Sequence, residues 1–172
     1  MPDVLTLRWI AGQTFGVVAL TLCIIGFAAK RDDRLFFLLL FANVAFALQF
    51  AMFRSWAAAA VTVLIILRIH LVRRYKHNGR VMCVMLVATC VAAALTWHAP
   101  RDIWAVAAGS LGTYGMFMHG GVPMRLFLTG AAFCWVVMQV LVGSFGGTLA
   151  ELLILATNLI TVARLKRRGG AL

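Results

Sequence analysis

The only glutamate of the chain is its best candidate for chemistry inside a hydrophobic segment. Glu151 lies in the last apolar run, whereas the four aspartates lie in polar tails or short connections, at Asp3, Asp32, Asp33 and Asp102. A carboxylate at membrane depth costs on the order of several kcal/mol unless it is protonated, paired or facing a wet cavity. We therefore expect the fold to compensate Glu151, and the compensating group or cavity is expected to point to the function.

A polar stripe runs along the segment that carries Glu151. Asn158 follows Glu151 by seven residues, so the two side chains share one helix face with Thr148. A polar stripe on a helix in lipid has to face protein or water. This stripe predicts an inward-facing surface, with Glu151 in its outer part and Asn158 in its inner part. A structural acid near the outer surface is the alternative for Glu151.

A second charged residue inside an apolar run is Arg68, on the third hydrophobic segment. Its position in the repeat described below places it at the depth of Asn158, about 10 Å from Glu151 along the membrane normal at 1.5 Å per residue. A direct salt bridge is not expected at that separation, and the two charges are predicted to bracket a cavity. Snorkelling of Arg68 to the cytoplasmic interface is the alternative.

Uncharged polar residues complete the predicted substrate-binding set. The amides of the apolar segments are expected either to contact a solute or to join helices by hydrogen bonds. Gln13, Thr113 and Tyr114 are weaker candidates on the first helix of each repeat. The predicted binding residues are Glu151, Asn158, Arg68, Gln49, Gln139, Thr148 and Asn43.

Signatures of enzymes and metal sites are absent from the sequence. It contains no Gly-x-Ser-x-Gly, Walker or His-Glu-x-x-His motif, and one glutamate without an intramembrane aspartate excludes two-carboxylate chemistry in the membrane. The cysteines form no Cys-x-x-Cys pair or metal-ligand spacing. Cys83 and Cys90, seven apart, are predicted to be small core residues. No enzymatic activity, metal or cofactor is expected.

Composition sets the class of protein. The 172 residues are 63% hydrophobic, with a mean hydropathy of +0.97, which indicates a polytopic membrane protein whose main partner is the lipid bilayer. The net charge of +11 comes from Lys and Arg at segment ends, where they act as topology signals, so nucleic acid is not an expected partner. The first apolar stretch ends without an Ala-x-Ala site and is predicted to be a retained helix.

Seven transmembrane helices are predicted from the apolar runs. Twelve basic residues fall on one side of this seven-span arrangement and three on the other, which predicts an outward N-terminus and a cytoplasmic C-terminus. Trp9, Trp56, Trp97 and Trp104 all map to outer span ends, as interfacial anchors do. The predicted spans are 9–29, 35–53, 55–72, 81–97, 103–118, 126–142 and 147–163.

An internal repeat of three helices relates the two halves of the chain. Gln49 corresponds to Gln139 and Arg74 to Arg164, both at an offset of 90, and each half ends in a basic cluster. The fourth helix has to re-cross the membrane for the halves to share one orientation. This predicts an all-α, parallel 3+1+3 arrangement. The units are the first repeat at 1–80, a linker helix with an outer loop at 81–102, and the second repeat with a basic tail at 103–172.

The last segment also resembles a known family. Its pattern of Gly143, Ser144, Gly146, Gly147, Thr148, Glu151, Asn158 and Arg164 is similar to the C-terminal signature of the bacterial inner membrane YgjV-type family. That family looks like a distant relative of the SWEET, PQ-loop and KDEL-receptor (MtN3-like) group, so the resemblance implies a multi-pass protein of the bacterial inner membrane with a central cavity. Asn158 matches an asparagine of the SWEET sugar site, and Arg68 replaces its partner. The three prolines lie outside the predicted spans, unlike the helix prolines of PQ-loop proteins.

Two functions are compatible with these features. The preferred prediction is a small-molecule transporter or facilitator, whose midplane site between helices 3 and 7 takes a small polar or anionic solute. The alternative is a ligand-sensing receptor without transport, or an interaction partner of another membrane protein. Self-association into a homo-oligomer is compatible with either.

Overall fold

The computed structural model describes residues 4–28 and 32–169, and this part of the chain forms seven α-helices and no β-strand. Short connections join the successive helices from the second onward, and the longest of these, from 97 to 101, follows the fourth helix. The helices are α1 (Val4–Ala28), α2 (Asp32–Met52), α3 (Trp56–Arg74), α4 (Gly79–Thr96), α5 (Asp102–Met118), α6 (Gly121–Leu141) and α7 (Phe145–Gly169).

Each predicted span coincides with one of these helices, with bounds that differ by up to six residues, and the start of α6 bears on a prediction. Helix α6 begins at Gly121, five residues before the predicted start, and so includes Pro123 in its first turn. The expectation that every proline lies outside the helices is therefore wrong at Pro123. The physical reason is that the first turn of a helix has N–H groups without partners in the helix, so the missing donor of a proline costs little there.

Five helices of the described chain are long and apolar enough to cross a membrane. They are α1, α3, α4, α6 and α7, and α2 contains the shorter apolar stretch Phe37–Met52. Helix α5 has 17 residues, at the short end of what spans a bilayer. Large apolar side chains are exposed along the outside of the bundle, for example Leu95 at 81% and Val84 at 66%. Such a surface is suited to lipid contact.

Six of the helices form a closed ring. Helix α1 packs on α2, α2 on α3, α3 on α5, α5 on α6, α6 on α7, and α7 returns to α1. Helix α4 stands outside the ring and packs against α3 and α5. The end at which α1, α3, α5 and α7 begin is called the outer end, after the predicted orientation, and the opposite end is called the inner end.

Glycines allow α1 and α7 to touch at the backbone. A Cβ added to Gly146 would lie 2.5 Å from the carbonyl carbon of Gly16, and one added to Gly16 would lie 3.1 Å from the backbone nitrogen of Gly147. No side chain fits at such a crossing. The close approach fixes the two helices together near the outer end of the ring.

The cysteines divide into two groups. Cys23 on α1 and Cys134 on α6 are buried in the ring, whereas Cys83 and Cys90 are exposed on α4. The prediction that Cys83 and Cys90 are core residues is therefore wrong. Helix α4 contacts only α3 and α5, so most of its surface, including the face that carries both thiols, lies outside the core.

Candidate functional site

A cavity of about 340 Å³ lies within the ring, toward the inner half of the bundle. All six ring helices contribute to its wall and α4 does not. Nineteen described residues line it, and six of them are polar, which makes the cavity mainly apolar with a few specific polar groups, as small-molecule sites are. The polar residues are Asn43, Arg68, Arg125, Glu151, Thr157 and Asn158.

Large apolar side chains form most of the cavity wall. Trp135 is 8% exposed and stacks on Phe50 with ring centroids 5.5 Å apart, so its indole is held firmly by the core. Phe46 from α2 and Ile154 from α7 line the wall as well. These side chains provide a dry surface for the non-polar part of a ligand.

Glu151 lies in the second turn of α7 and is 6% exposed. Among the described residues its carboxyl group has no hydrogen-bond partner within 3.5 Å and no cation within 4.0 Å. It lines the cavity together with Cys23 of α1. An ion pair between Glu151 and Arg68 is not formed within the described part of the chain.

Arg68 is 7% exposed and binds α5 with its guanidinium group. Its Nη1 donates hydrogen bonds to the carbonyl oxygen of Gly109 at 3.1 Å and to Oγ1 of Thr113 at 3.4 Å. A Cβ on Gly112 would lie 2.5 Å from Nη1, so that glycine provides the space for the guanidinium. The side chain packs in the bundle interior. The snorkelling alternative requires it to extend to solvent, and it does not.

The depth of the Arg68 guanidinium follows from its partners. Arg68 lies in the fourth turn of α3, whereas Gly109 lies at the end of the second turn of α5, and both helices begin at the outer end. The side chain therefore extends toward the outer end, the direction in which helical side chains lean. Its Nε is buried and has no hydrogen-bond partner among the described atoms.

Arg125 and Asn158 join at the inner part of the cavity. Nη1 of Arg125 donates to Oδ1 of Asn158 at 3.2 Å, which connects α6 to α7. Arg125 was not among the predicted site residues and was counted only as a topology signal. Helical spacing could have revealed it, because Arg125, Leu128, Ala132 and Trp135 all fall on one face of α6 and all line the cavity.

Asn43 contributes an amide from α2. Its Nδ2 donates to the carbonyl oxygen of Leu39 at 2.8 Å within the same helix. Asn43 also lies at the cavity wall. Of the seven predicted binding residues, the structure brings Asn43, Arg68, Glu151 and Asn158 to the cavity wall.

Three predicted binding residues lie outside the cavity wall, nearer the outer end. Nε2 of Gln49 donates to Oε1 of Gln139 at 2.5 Å, and both side chains are fully buried. Gly16 and Gly147 pack directly against these amides. Thr148 donates to the carbonyl oxygen of Ser144 at 2.6 Å within the first turn of α7. The two glutamines close the bundle between the cavity and the outer end.

Gln13 joins α1 to the turn that precedes α7. Its Nε2 donates to the carbonyl oxygen of Gly143 at 2.7 Å, and its Oε1 accepts from the N–H of Phe145 at 3.1 Å. Gly143 has a φ of +74°, which glycine adopts without strain. Ser144 Oγ accepts from the N–H of Gly147 at 3.0 Å, as an N-cap does. These bonds hold the outer closure in place.

The charges of the cavity are unbalanced. Arg68 and Arg125 carry two positive charges, and Glu151 carries one negative charge when it is ionised, so the lining has a net charge of at least +1. Charges removed from water are costly without a partner. Among the described residues no cluster of His, Cys, Asp and Glu could hold a metal ion. The arrangement is suited to binding a small solute that has both polar and apolar parts.

Comparison with known proteins places the chain in a family. A model of the bacterial inner membrane proteins of the YgjV type matches residues 10–169. The inner membrane protein YgjV of Escherichia coli (strain K12) is 27% identical over 168 residues, which cover 96% of this chain and 91% of that protein. No solved structure shows significant similarity to the chain. The chain therefore belongs to the YgjV family of bacterial inner membrane proteins, and it is a multi-pass protein of that membrane.

Proposed function

We propose that this protein is a transporter or facilitator of a small solute across the inner membrane. The observation that carries the proposal is the cavity of about 340 Å³ inside a ring of six helices, with charged and amide side chains on an otherwise apolar wall. Solute sites near the middle of the membrane, enclosed by helices of two repeats, are typical of secondary transporters. The proposal assigns no enzymatic activity to the chain.

The pattern of helix contacts supports a parallel 3+1+3 arrangement. Exchanging α1, α2 and α3 with α5, α6 and α7 maps each ring contact onto another ring contact, for example α1 with α7 onto α5 with α3. Helix α4 lies outside the ring, where a linker between repeats belongs. Gln49 and Gln139, which correspond at an offset of 90, meet at the centre. A twofold relation of this kind is what the resemblance to the SWEET and PQ-loop group implies.

The orientation and the state of the protein follow from the same proposal. The basic residues concentrate at the inner end, which favours a cytoplasmic location of that end. The cavity lies in the inner half and the glutamine pair closes the outer side, so this conformation corresponds to an inward-facing state. Rocking of the two three-helix units would separate Gln49 from Gln139 and expose the site to the outside.

Each polar residue has a role in the proposed transport cycle. Arg68, Asn158 and Asn43 contact the solute in the inward-facing state, and Glu151 is an outer polar contact or a proton-coupling group. Gln49 and Gln139 meet the solute only when the outer closure opens.

Uptake by the purified protein in proteoliposomes tests the proposal. Glu151→Gln and Asn158→Ala should reduce solute flux while the protein remains folded and present at normal levels. The exposed Arg80 provides a control, because Arg80→Gln lies outside the cavity and should leave flux unchanged. Unchanged flux in both cavity variants would contradict the site assignment.

A ligand-sensing receptor is the second candidate. The fully buried glutamine pair favours it, because a permanently closed outer side would hold a ligand without releasing it outward. An interaction partner that lacks a pocket is less well supported, since the cavity lies between α3 and α7. A receptor binds the solute without moving it, so binding in detergent together with no flux in proteoliposomes identifies this alternative.

A further inference from the structure

The side chains that line the cavity offer more free hydrogen-bond donors than acceptors, and most of these donors belong to positively charged groups. Arg125 uses one N–H on Asn158 and Arg68 uses Nη1 on α5, so each guanidinium keeps donors for another partner. Nδ2 of Asn158 is a further donor, since only its Oδ1 is engaged within the described structure. The acceptors are the carboxyl group of Glu151, the amide oxygen of Asn43 and the hydroxyl oxygen of Thr157, whose proton is donated to the carbonyl oxygen of Leu153.

The buried Nε of Arg68 is a second sign of a missing acceptor. It has no hydrogen-bond partner among the described atoms, although the residue is only 7% exposed. Leaving a donor of a charged group unpaired in a buried position is costly. An anion beside Arg68 would offset that cost.

We propose that the ligand of this cavity is a small organic monoanion, a carboxylate with an apolar body. The inference rests on the proposed function, because it assigns a substrate class to the same site. The carboxylate lies between Arg68 and Arg125 and accepts from Nδ2 of Asn158. Its apolar body contacts Trp135 and Phe46.

While Glu151 is ionised, the net charge of the lining favours a ligand with a single negative charge. With Glu151 ionised the lining carries +1, so a monoanion neutralises it, whereas a phosphate monoester carries about −1.5 to −2 at pH 7 and would leave an excess of negative charge. The planar guanidinium fork also matches the two oxygens of a carboxylate. The volume of about 340 Å³ is near the lower limit of the roughly 300–1,000 Å³ typical of small-molecule sites, which fits a metabolite-sized acid.

The apolar wall favours an anion that carries a hydrocarbon part. Thirteen of the nineteen lining residues are apolar or a buried cysteine, and they include the aromatic rings of Trp135 and Phe46. An inorganic anion would leave these surfaces against water or empty space. A carboxylate with an aromatic or short aliphatic body fills both parts of the site.

Thermal unfolding of the purified protein with matched ligands tests the proposal. The probes are benzoate and hexanoate, their neutral amides benzamide and hexanamide, and phenyl phosphate. Saturable stabilisation is expected with a carboxylate, with an affinity about tenfold or more above that for its amide, because the amide carries no negative charge to pair with the two guanidinium groups. Phenyl phosphate should bind more weakly than benzoate.

Two arginine variants localise the effect. Arg125→Gln should weaken carboxylate binding by about tenfold or more, since Arg125 is half-buried at the wall and its removal takes away a charged donor. The exposed Arg80→Gln should bind like the wild type and controls for partitioning of the probes into detergent. Arg68→Lys provides a second cavity variant that keeps the charge but loses the fork, and its affinity should fall between those of the wild type and Arg125→Gln.

The outcomes separate this inference from the proposed function. Equal binding of carboxylates and amides, or no saturable stabilisation by any carboxylate, overturns the monoanion assignment. If the protein then transports a neutral solute, the proposed transport function still stands. Carboxylate binding that depends on Arg125 without flux in proteoliposomes supports the assignment and overturns transport. Stronger binding of phenyl phosphate overturns the choice of a single charge.

Discussion

Gln49 donates a hydrogen bond to Gln139 across the centre of the ring, and the two residues are 90 positions apart in the chain. Both side chains are fully buried, and each retains one amide atom without a partner in the described structure, Oε1 of Gln49 and Nε2 of Gln139. The pair joins α2 to α6, the middle helices of the two proposed three-helix units. It is therefore a contact that has to break if those units move apart.

Replacing one glutamine of the pair should destabilise the closed conformation. Gln49→Met removes the donor and leaves Gln139 buried without a partner, which should lower the free energy of unfolding by about 1–3 kcal/mol. The double variant Gln49→Met/Gln139→Met should lose less than the sum of the single variants, because no orphaned amide remains. Denaturation in mixed detergent micelles measures the free energy of unfolding of the wild type, the two single variants and the double variant. Additive losses would contradict a direct interaction.

The crossing of α1 and α7 gives a prediction about packing. Gly146→Ala should destabilise the protein by about 1–3 kcal/mol, because a Cβ at this position would meet the backbone of Gly16 and the N–H of Val17, which cannot yield as a side chain can. Thermal unfolding of the purified variant measures the loss.

Gly130→Ala is the matched control for that variant. Gly130 lies inside α6, and its added Cβ would meet only Leu111 Cδ1 at an ordinary 3.5 Å. The exchange should be neutral or raise stability by up to about 1 kcal/mol, since alanine favours helix more than glycine does. Equal destabilisation by both alanines would contradict the close contact at Gly146.

Much of the helical arrangement was predictable from the sequence, because apolar runs of this length have few alternatives in a membrane. The interior positions of Glu151 and Asn158 followed from their spacing of seven. Arg125 was not predicted as a site residue, because the sequence does not distinguish a basic residue at a segment end that marks topology from one whose side chain points into the bundle. Cys83 and Cys90 were misplaced because sequence does not reveal that α4 stands outside the ring. The contact between Gln49 and Gln139 could not be predicted, because the distance between their helices does not follow from the predicted repeat offset alone.

The predicted orientation can be tested by labelling single cysteines. In a background without the four native cysteines, His98→Cys should react with a membrane-impermeant maleimide on intact cells, because the α4–α5 connection is predicted to lie outside. Lys76→Cys, in the α3–α4 connection, should react only after the membranes are permeabilised. Both side chains are exposed in the structure, so accessibility within the protein does not distinguish them. The reverse pattern would invert the predicted topology, and labelling of both on intact cells would contradict the single crossing by α4 that it requires.

The titration of Glu151 should control the affinity for a carboxylate ligand. The charged and titratable groups that line the cavity with it are Cys23, Arg68 and Arg125. When the pH rises through the titration of Glu151, its carboxylate becomes negative and repels a bound carboxylate. Benzoate affinity of the wild type should therefore fall over that range, whereas Glu151→Gln should show no such fall.

The size of this effect follows from the separation of the charges. Glu151 and Asn158 are seven residues apart on α7, or about 10 Å, and two unit charges at that distance interact by about 1.5 kcal/mol at an effective dielectric constant of about 20. Above the titration range Glu151→Gln should thus bind benzoate about tenfold tighter than the wild type, and below it the two affinities should converge. Cys23→Ala should keep the pH dependence of the wild type, which excludes the neighbouring thiol as its source. If Glu151 were only a structural acid remote from the ligand, the affinities of the wild type and Glu151→Gln would coincide at every pH.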